Sequence, residues 1–171
     1  IIKASRLGDA AILKELIKIL AENNITVIKS NAFNPELTLS EGNYSKKKPD
    51  KFELANIKKG INSLKKLNAH NHTQALVIRN NTIIAKETSK GTKRMLQTIK
   101  KIKKHRGILI KFPKRMQDLR ADLPTIGLET LKDCKRAGIN GIVLKAKQNI
   151  FIDKIKCIKF ADKNNIFITI K

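Results

Sequence analysis

The segment Lys111–Gly127 holds the densest group of side chains that could carry out chemistry. Its polar members are Lys111, Lys114, Gln117, Asp118, Arg120 and Asp122. Aspartate oxygens are hard ligands suited to Mg²⁺, and arginine and lysine suit phosphate oxygens. Hydrolysis of a pyrophosphate needs this combination, because cations stabilise the developing negative charge and a carboxylate orients or deprotonates water. A solvated loop with weak surface ion pairs between Asp and Arg is the alternative interpretation.

A second candidate site comprises Glu87 and the pair Gly91-Thr92. Glycine permits close approach of the backbone, and the N-terminus of the helix that follows offers N–H groups to an anion. The hydroxyl of Thr92 adds a further donor. An ordinary Gly/Thr helix cap is the alternative interpretation of the same residues.

The elements that must position these residues alternate between helices and strands. Helices are predicted over Ala10–Asn23, Asp50–Asn68, Gly91–Ile102, Leu128–Ala137 and Asp153–Asn164. Asp50 and Glu53 form a capping box at the start of the second helix, Gly138 ends the fourth, and Asp153 caps the fifth. Strands are predicted at Ile25–Ile28, Gln74–Ile78, Thr82–Ala85, Gly107–Ile110, Gly141–Leu144, Ile150–Ile152 and Ile166–Ile170. This alternation predicts an α/β fold with a mixed sheet and helices packed on it. The segment Lys111–Gly127 then follows a strand, where ligands gather in open α/β sheets.

The polar stretch Ser40–Lys51, with Gly42, Pro49 and three consecutive lysines, predicts a loop or linker. It divides the chain into residues 1–45 and 46–171. The chain begins with Ile1 rather than Met, and we expect it to be a piece of a longer protein.

The chain carries 37 Lys and Arg against 14 Asp and Glu, a net charge of +23. Such an excess favours nucleic acid, anionic lipid or anionic substrates as partners. The lysines are spread along the chain without a pattern of stacking aromatics, and the abundance of Ile, Lys and Asn is typical of AT-rich coding. No apolar run reaches the length of a membrane span. Cys134 and Cys157 form no CxxC motif, which predicts free thiols in a reducing cytoplasm.

The segment rich in candidate residues resembles a known family. The stretch Gln117-Asp118-x-Arg120-x-Asp122-Leu-Pro-Thr-Ile-Gly127, followed by Thr130 and Ala137-Gly138-Ile-x-Gly141-Ile142, resembles the C-terminal domain of UDP-2,3-diacylglucosamine pyrophosphatases of the LpxI type. Weaker matches occur in the family's order at Leu7-Gly8-Asp9, Gln74-Ala75-x-Val77, Glu87…Gly91-Thr92 and Ala161-Asp162…Phe167. The resemblance spans nearly the whole chain, and its specific part is Gln117–Gly127.

The resemblance implies a two-domain enzyme of lipid A biosynthesis. Residues 1–45 would be the end of a Rossmann-like, UDP-binding N-terminal domain with its linker. Residues 46–171 would be the domain that binds lipid X, which is 2,3-diacylglucosamine 1-phosphate. With Mg²⁺ as cofactor, water would attack the pyrophosphate of UDP-2,3-diacylglucosamine and release UMP and lipid X. The resemblance places this reaction in the cytoplasm, with peripheral contact at the inner membrane.

The resemblance also implies roles for individual residues. The catalytic residues would be Asp118, Asp122 and Arg120, and the motif leaves open which aspartate is essential. The Mg²⁺ ligands would be Asp118, Asp122 and Glu87. The substrate contacts would be Lys111, Lys114, Gln117, Thr125, Gly91, Thr92 and Gln74.

Three departures from the family pattern bear on activity. Lys93 stands where the family has Asp after Gly-Thr, Asn71-His72-Thr73 replaces Asp-Ile-Gly, and a glycine near Lys147 is missing. The lost Asp removes a candidate metal ligand, so a folded lipid-binding relic without activity is one alternative. A basic nucleic-acid-binding module is another, but it leaves Gln117–Gly127 unexplained, and nucleic acid is not the expected partner.

Overall fold

The computed structural model describes residues 9–70, 73–100, 102, 106–115 and 117–171. Within these residues the helices are α1 Asp9–Glu22, α2 Lys51–His70, α3 Gly91–Gln97, α4 Leu128–Arg136 and α5 Lys154–Lys163. The strands are β1 Gly42–Asn43, β2 Ala75–Arg79, β3 Thr82–Lys86, β4 Gly107–Lys111, β5 Thr125–Ile126, β6 Ile139–Leu144, β7 Ile150–Phe151 and β8 Phe167–Ile170. A short 3₁₀ helix covers Pro35–Leu37.

Six strands form one mixed sheet in the order β1-β8-β6-β4-β2-β3. The central strands β4, β6 and β8 are parallel, and β1, β2 and β3 pair antiparallel with their neighbours. Helices α4 and α5 lie in the two crossovers between the parallel strands. Strands β5 and β7 form a separate parallel pair. The predicted α/β fold with a mixed sheet is therefore confirmed.

Each face of the sheet carries its own apolar core. One core lies between the sheet and α2, with Ile57 and Leu64 against Leu76, Ile110 and Phe167. The other lies on the opposite face beneath α3, α4 and α5; its members include Ala75, Leu96, Leu109, Leu131, Cys134, Ile142, Leu144 and Cys157. Because both faces are covered, β2, β4 and β6 are buried along their whole length and are almost entirely apolar.

The predicted capping box at the start of α2 is confirmed. The Glu53 backbone N–H donates to Asp50 Oδ1 at 2.7 Å, and the Asp50 N–H donates to Glu53 Oε2 at 2.9 Å. The other Glu53 oxygen, Oε1, accepts from Lys47 Nζ at 2.8 Å and from Asn140 Nδ2 at 2.6 Å. Since Asn140 lies near the start of β6, this network fixes the beginning of α2 at the N-terminal edge of the parallel strands.

The predicted hairpin between β2 and β3 is also confirmed. Its two turn residues, Asn80 and Asn81, have φ angles of 48° and 57°. Two successive positive φ angles are the requirement of a type I′ turn, and asparagine tolerates this region better than most residues. The Asn81 N–H also donates to Asn56 Oδ1 of α2 at 2.6 Å, which ties the turn to the helix.

Two predicted elements are wrong in whole or in part. Residues 25–28 form no strand; Ile25 and Ile28 are 53% and 51% exposed, and no strand in the described part of the chain pairs with them. Helix α3 stops at Gln97 rather than at Ile102. The Thr98 hydroxyl donates to the Met95 carbonyl at 2.7 Å, which satisfies a C-terminal acceptor and ends the helix early.

Helix α5 begins where it was predicted to begin, but not through the predicted cap. Asp153 occupies the N-cap position in a left-handed conformation, with φ 52° and ψ 47°, and its side chain makes no capping hydrogen bond. The carboxylate instead approaches Lys156 Nζ at 3.3 Å on the helix surface.

The polar stretch predicted as a linker is attached to the sheet. Gly42-Asn43 adds β1 to the edge of β8, and Ser45 Oγ accepts the Ile168 N–H at 2.8 Å. Leu39, just before the stretch, is buried in the core beneath α4 and α5. Among the described side chains of α1, only Ile17 is buried, and it belongs to neither core. The division of the chain at residues 45 and 46 stays a prediction.

We predict that Gly141→Ala destabilises the fold. A methyl group at Gly141 would overlap the fully buried ring of Phe167 on the neighbouring strand. Overpacking of this kind costs about 1–3 kcal/mol, which urea unfolding would measure as a fall in the free energy of unfolding. Gly127→Ala is the control, because its added methyl would meet Ile152 Cβ at an ordinary 3.7 Å. Equal losses in the two variants would contradict this account of the packing.

Candidate functional site

The register of the sheet brings Lys111 and Glu87 to the same face and the same edge. Ala75 pairs with Lys111 of β4, and the Glu87 N–H donates to the Ala75 carbonyl at 2.9 Å. Directly opposed residues of neighbouring strands project to the same face, so the two charged side chains flank Ala75. The small methyl of Ala75 lies between them. Lys111 is the last residue of β4, so this row lies at the C-terminal edge of the parallel strands.

Glu87 is only 6% exposed, and its carboxylate is held by α3. Oε1 accepts the hydroxyl of Thr92, in the first turn of that helix, at 2.6 Å. The Glu87 carbonyl accepts from Thr73 Oγ1 at 3.2 Å. Oε2 is buried without a hydrogen-bond partner among the described residues. A buried carboxylate oxygen in this state depends on a nearby positive charge.

The ammonium of Lys111 is attracted by this carboxylate from a distance, because the described residues show no direct ion pair between the two groups. The residue is 8% exposed, and Nζ donates to the Thr125 carbonyl at 3.2 Å. Burial lowers the pKa of Lys111, and the attraction of the Glu87 carboxylate opposes this effect. Because Lys111 and Thr125 are the residues just before and just after the loop 112–124, this one hydrogen bond joins the two ends of the loop.

A buried amide fixes the far end of the loop 112–124. Asn149, only 3% exposed, donates from Nδ2 to the Pro124 carbonyl at 3.3 Å, and Ile150 N–H donates to the same oxygen at 3.0 Å. Asn149 Oδ1 accepts the Lys145 N–H at 2.8 Å. The loop therefore leaves the sheet at β4 and returns against the turn that follows β6.

Within the loop, Asp118 and Arg120 form a bidentate ion pair. Arg120 Nε donates to Asp118 Oδ1 at 3.0 Å and Nη2 donates to Oδ2 at 2.7 Å, while the Arg120 backbone N–H also donates to Oδ1 at 3.0 Å. The backbone N–H of Asp122 donates to the Asp118 carbonyl at 2.9 Å, which makes the two aspartates neighbours. In the described part of the chain, the Asp122 carboxylate itself has no ion-pair or hydrogen-bond partner.

The hydrogen bonds from Arg120 lower the pKa of Asp118 from 3.8 to about 2, and Lys14 of α1 contributes a smaller attraction. Asp118 is therefore ionised at neutral pH, and its two oxygens are occupied by the guanidinium. Asp122 presents the other carboxylate of the motif without such a partner among the described residues.

Gln117 shapes the start of the motif. Its Oε1 accepts the Lys114 backbone N–H at 2.8 Å, and its own N–H donates to the Lys114 carbonyl at 3.1 Å. This reciprocal pair forms a tight turn that presents the Lys114 side chain, which is partly exposed, at the loop surface. Gln117 thus fixes the backbone of the loop, while the role of its side chain toward a substrate stays a prediction.

The structure brings the candidate residues into two groups, and one residue, Gln74, belongs to neither group. Glu87, Thr92 and Lys111 form the buried group, and Gly91, with φ 78°, opens the helix that carries Thr92. The loop group comprises Lys114, Gln117, Asp118, Arg120 and Asp122, and Thr125 joins the two groups through its carbonyl. Gln74 precedes Ala75, so strand alternation directs its side chain to the face that α2 covers, where Oε1 is buried without a partner in the described residues.

The candidate metal ligands do not form one cluster. Among the described residues, no group of three His, Cys, Asp or Glu side chains could hold a metal ion, so Glu87 does not join Asp118 and Asp122 in such a group. One carboxylate, that of Asp122, still fits Mg²⁺, which keeps several waters and takes its other ligands from substrate phosphates. Leu7-Gly8 and Asn71-His72, which the resemblance also involves, lie outside the described residues.

Two residues of the site are not evident from the sequence. Ala75 matters because it is small and lies between Glu87 and Lys111, which only the strand register reveals. Asn149 matters because it anchors the loop at Pro124, a contact across 25 positions of the chain. Its place in the polar turn after a predicted strand is the only signal that the sequence offers for it.

Comparison with known proteins gives two matches. Residues 40–169 match the model of the LpxI C-terminal domain. The UDP-2,3-diacylglucosamine pyrophosphatase LpxI of Caulobacter vibrioides (strain ATCC 19089 / CIP 103742 / CB 15) is 28% identical over 176 residues, covering 98% of this chain. The chain spans 63% of the length of that relative. In the described part of the chain, none of the helices is both long enough and apolar enough to cross a membrane.

We predict that Arg120→Gln raises the pKa of Asp118 from about 2 toward its ordinary value of 3.8. The pKa is depressed in the folded state, so the pair stabilises the fold above the ordinary pKa and loses this contribution as pH falls toward 2. Carboxyl ¹³C shifts followed through an acid titration measure the change. Lys14→Gln is the graded control, with a smaller rise expected. An Asp118 pKa that stays near 2 in the Arg120 variant would show that the ion pair is not its cause.

Proposed function

Because the chain belongs to the LpxI C-terminal domain family, we propose that it takes part in lipid A biosynthesis by hydrolysing the pyrophosphate of UDP-2,3-diacylglucosamine to UMP and lipid X. The relative's name supports a hydrolase of this class. The observation that carries the proposal is the buried Lys111 ammonium, which lies at the carboxyl edge of the sheet and joins the ends of the loop that bears Asp118, Arg120 and Asp122. We place the reaction in the cytoplasm, at the face of the inner membrane.

The cations of the site suit the two phosphates of the substrate. Lys111 Nζ has one hydrogen-bond acceptor among the described residues, the Thr125 carbonyl, so further N–H groups remain for a phosphate oxygen. Lys114 lies on the same loop, next to the turn that Gln117 fixes. A phosphate held by these ammonium groups would be oriented toward the loop carboxylates. The acyl chains would add apolar contact, and each buried CH₂ group contributes about 0.8 kcal/mol to binding.

The two aspartates are suited to different tasks. Asp122 has no partner in the described part of the chain, so its carboxylate is the one available to orient the attacking water or to receive its proton. Asp118 fixes the direction of the Arg120 guanidinium. The guanidinium N–H groups that Asp118 does not bind would donate to the pyrophosphate oxygens as negative charge develops on them. In this proposal Asp122 acts on the water and Asp118 positions Arg120.

Asp122 is the residue that would hold Mg²⁺, because both oxygens of Asp118 already accept hydrogen bonds from Arg120. When bound, Mg²⁺ supplies a positive charge to the pyrophosphate oxygens and makes its bound water more acidic. Glu87 is an internal counter-charge for Lys111 in this arrangement and is the weakest of the three candidate ligands.

A lipid-binding protein without activity is the alternative that one observation favours. Lys93, which replaces the family's Asp, follows Thr92 on α3 and is exposed. A lysine in that place adds positive charge where the family has a carboxylate, which would weaken metal binding. This alternative keeps the lipid X site and removes the hydrolytic step.

We predict that Asp122→Asn lowers the rate of UMP release by about 100-fold or more, because a carboxylate that orients or deprotonates water contributes roughly this factor. Asp118→Asn should have a smaller effect, since it disturbs Arg120 rather than the water. The assay uses Mg²⁺ and UDP-2,3-diacylglucosamine with this chain and with its fusion to the amino-terminal region of the Caulobacter relative. Both variants should bind lipid X as the parent does, which shows that the fold is intact.

Two other outcomes are informative. Release of UMP at the parent rate by both variants would remove these carboxylates from the mechanism. Binding of lipid X without UMP release, by the chain and by the fusion alike, would favour the relic. Recovery of UMP release in Lys93→Asp would then identify the lost ligand.

A further inference from the structure

An exposed apolar pair lies at the beginning of α5. Ile152 is 49% exposed and Ile155 is 67% exposed. Ile155 lies in the first turn of α5, and Ile152 lies in the turn just before the helix, separated from it by Asp153. Lys154 and Lys159 flank them on the same helix. These four residues are called the α5 patch below.

The α5 patch adjoins the loop 112–124. The Ile152 N–H donates to the Ile126 carbonyl at 2.8 Å, and Thr125 pairs with Ile150 in the small parallel sheet of β5 and β7. Because β7 and α5 follow β6, the first turn of α5 lies at the same carboxyl edge of the sheet as Lys111. The patch and the candidate site therefore belong to one end of the molecule.

The charge of this surface is positive because its acidic groups are already engaged. Asp153, at the start of α5, pairs with Lys156, and Glu129, at the start of α4, pairs with Lys132. In the described part of the chain no carboxylate pairs with Lys154 or Lys159. An apolar centre with unpaired lysines at its rim complements an anionic lipid surface.

A second apolar and basic surface on α2 serves as a comparison. Phe52 and Leu54 are 83% and 44% exposed and are followed by Lys58 and Lys59. The contact of Glu53 with Asn140 places this end of α2 at the opposite edge of the sheet, on the opposite face. A membrane that met Phe52 would be remote from the loop 112–124.

We propose that the α5 patch docks on the anionic surface of a phospholipid bilayer. Ile152 and Ile155 enter the boundary between headgroups and acyl chains, and Lys154 and Lys159 contact headgroup phosphates. The docked orientation brings the loop 112–124 to the level of the headgroups, where a diacylated sugar substrate presents its pyrophosphate. The inference rests on the proposed function for its purpose, but the docking itself requires no substrate and no hydrolysis.

The chain contains no tryptophan, so a single introduced tryptophan reports on one position. Ile155→Trp and Phe52→Trp form a matched pair on opposite sides of the molecule. With vesicles of phosphatidylglycerol and phosphatidylcholine, the fluorescence of the Ile155→Trp variant should shift to the blue and be quenched by brominated acyl chains. The fluorescence of the Phe52→Trp variant should do neither. Vesicles of phosphatidylcholine alone should give a much weaker response in the Ile155→Trp variant.

Two double variants test the affinity. In vesicle sedimentation, the double variant Ile152→Ser with Ile155→Ser should have a partition coefficient lower by about tenfold or more. The reason is that two large apolar side chains no longer enter the interface. Phe52→Ser with Leu54→Ser, which changes a similar apolar surface at the same net charge, should leave it unchanged. All four side chains are substantially exposed, so the melting temperatures should stay close to the parent's.

The docking proposal would be overturned by equal losses in the two pairs, by a larger loss in the α2 pair, or by tight binding to duplex RNA without binding to vesicles. Because the vesicles contain no UDP-2,3-diacylglucosamine, these results are independent of UMP release. Vesicle binding through α5 without hydrolysis would contradict the proposed function and leave the docking proposal intact. Hydrolysis of detergent-dispersed substrate without vesicle binding would contradict the docking proposal and leave the proposed function intact.

Discussion

The candidate site depends on one buried ammonium group. Lys111 ends a central strand whose other side chains are apolar, and its charge is placed where water is largely excluded. A buried charge of this kind persists only with compensating partners, and the fold supplies Glu87 from the neighbouring hairpin and the Thr125 carbonyl from the end of the loop. Ala75 between them, Thr92 on α3 and the return of the loop to β7 all serve this arrangement.

The site combines a rigid base with an exposed loop. Glu87 and Lys111 are buried on either side of the buried Ala75, whereas the ion pair between Asp118 and Arg120 lies near solvent, where such pairs contribute little to stability. That pair orients the Arg120 guanidinium rather than stabilising the fold. Among the described residues, Glu87 Oε2 has no hydrogen-bond partner and the buried Lys111 ammonium has one, and a purely structural core avoids such features. Polar groups with unused bonding capacity at the carboxyl edge of a sheet are typical of a binding site.

Local features of the fold could be predicted from the sequence because neighbouring residues determine them. The capping box of Asp50 and Glu53 and the turn at Asn80-Asn81 need only a few residues in order. The segment 25–28 shows the limit, since an apolar run becomes a strand only when a partner strand lies beside it. Candidate residues on one short loop could be predicted from their clustering, and their roles stay a prediction. The placement of Glu87 and Lys111 on either side of Ala75 depends on the register of three strands, which no local pattern contains.

The most direct test of this account is amide hydrogen exchange in Lys111→Met, which keeps the length of the side chain and removes its charge. Glu87→Gln is introduced together with it, so that no carboxylate is left buried without a counter-charge. If the ammonium joins the ends of the loop, amide exchange in residues 112–124 should become faster by about tenfold or more. This corresponds to a free energy of loop opening that is about 1.4 kcal/mol lower. Strands β4 and β6 should keep their protection. Unchanged exchange in the loop would show that Lys111 does not organise it and would contradict the account.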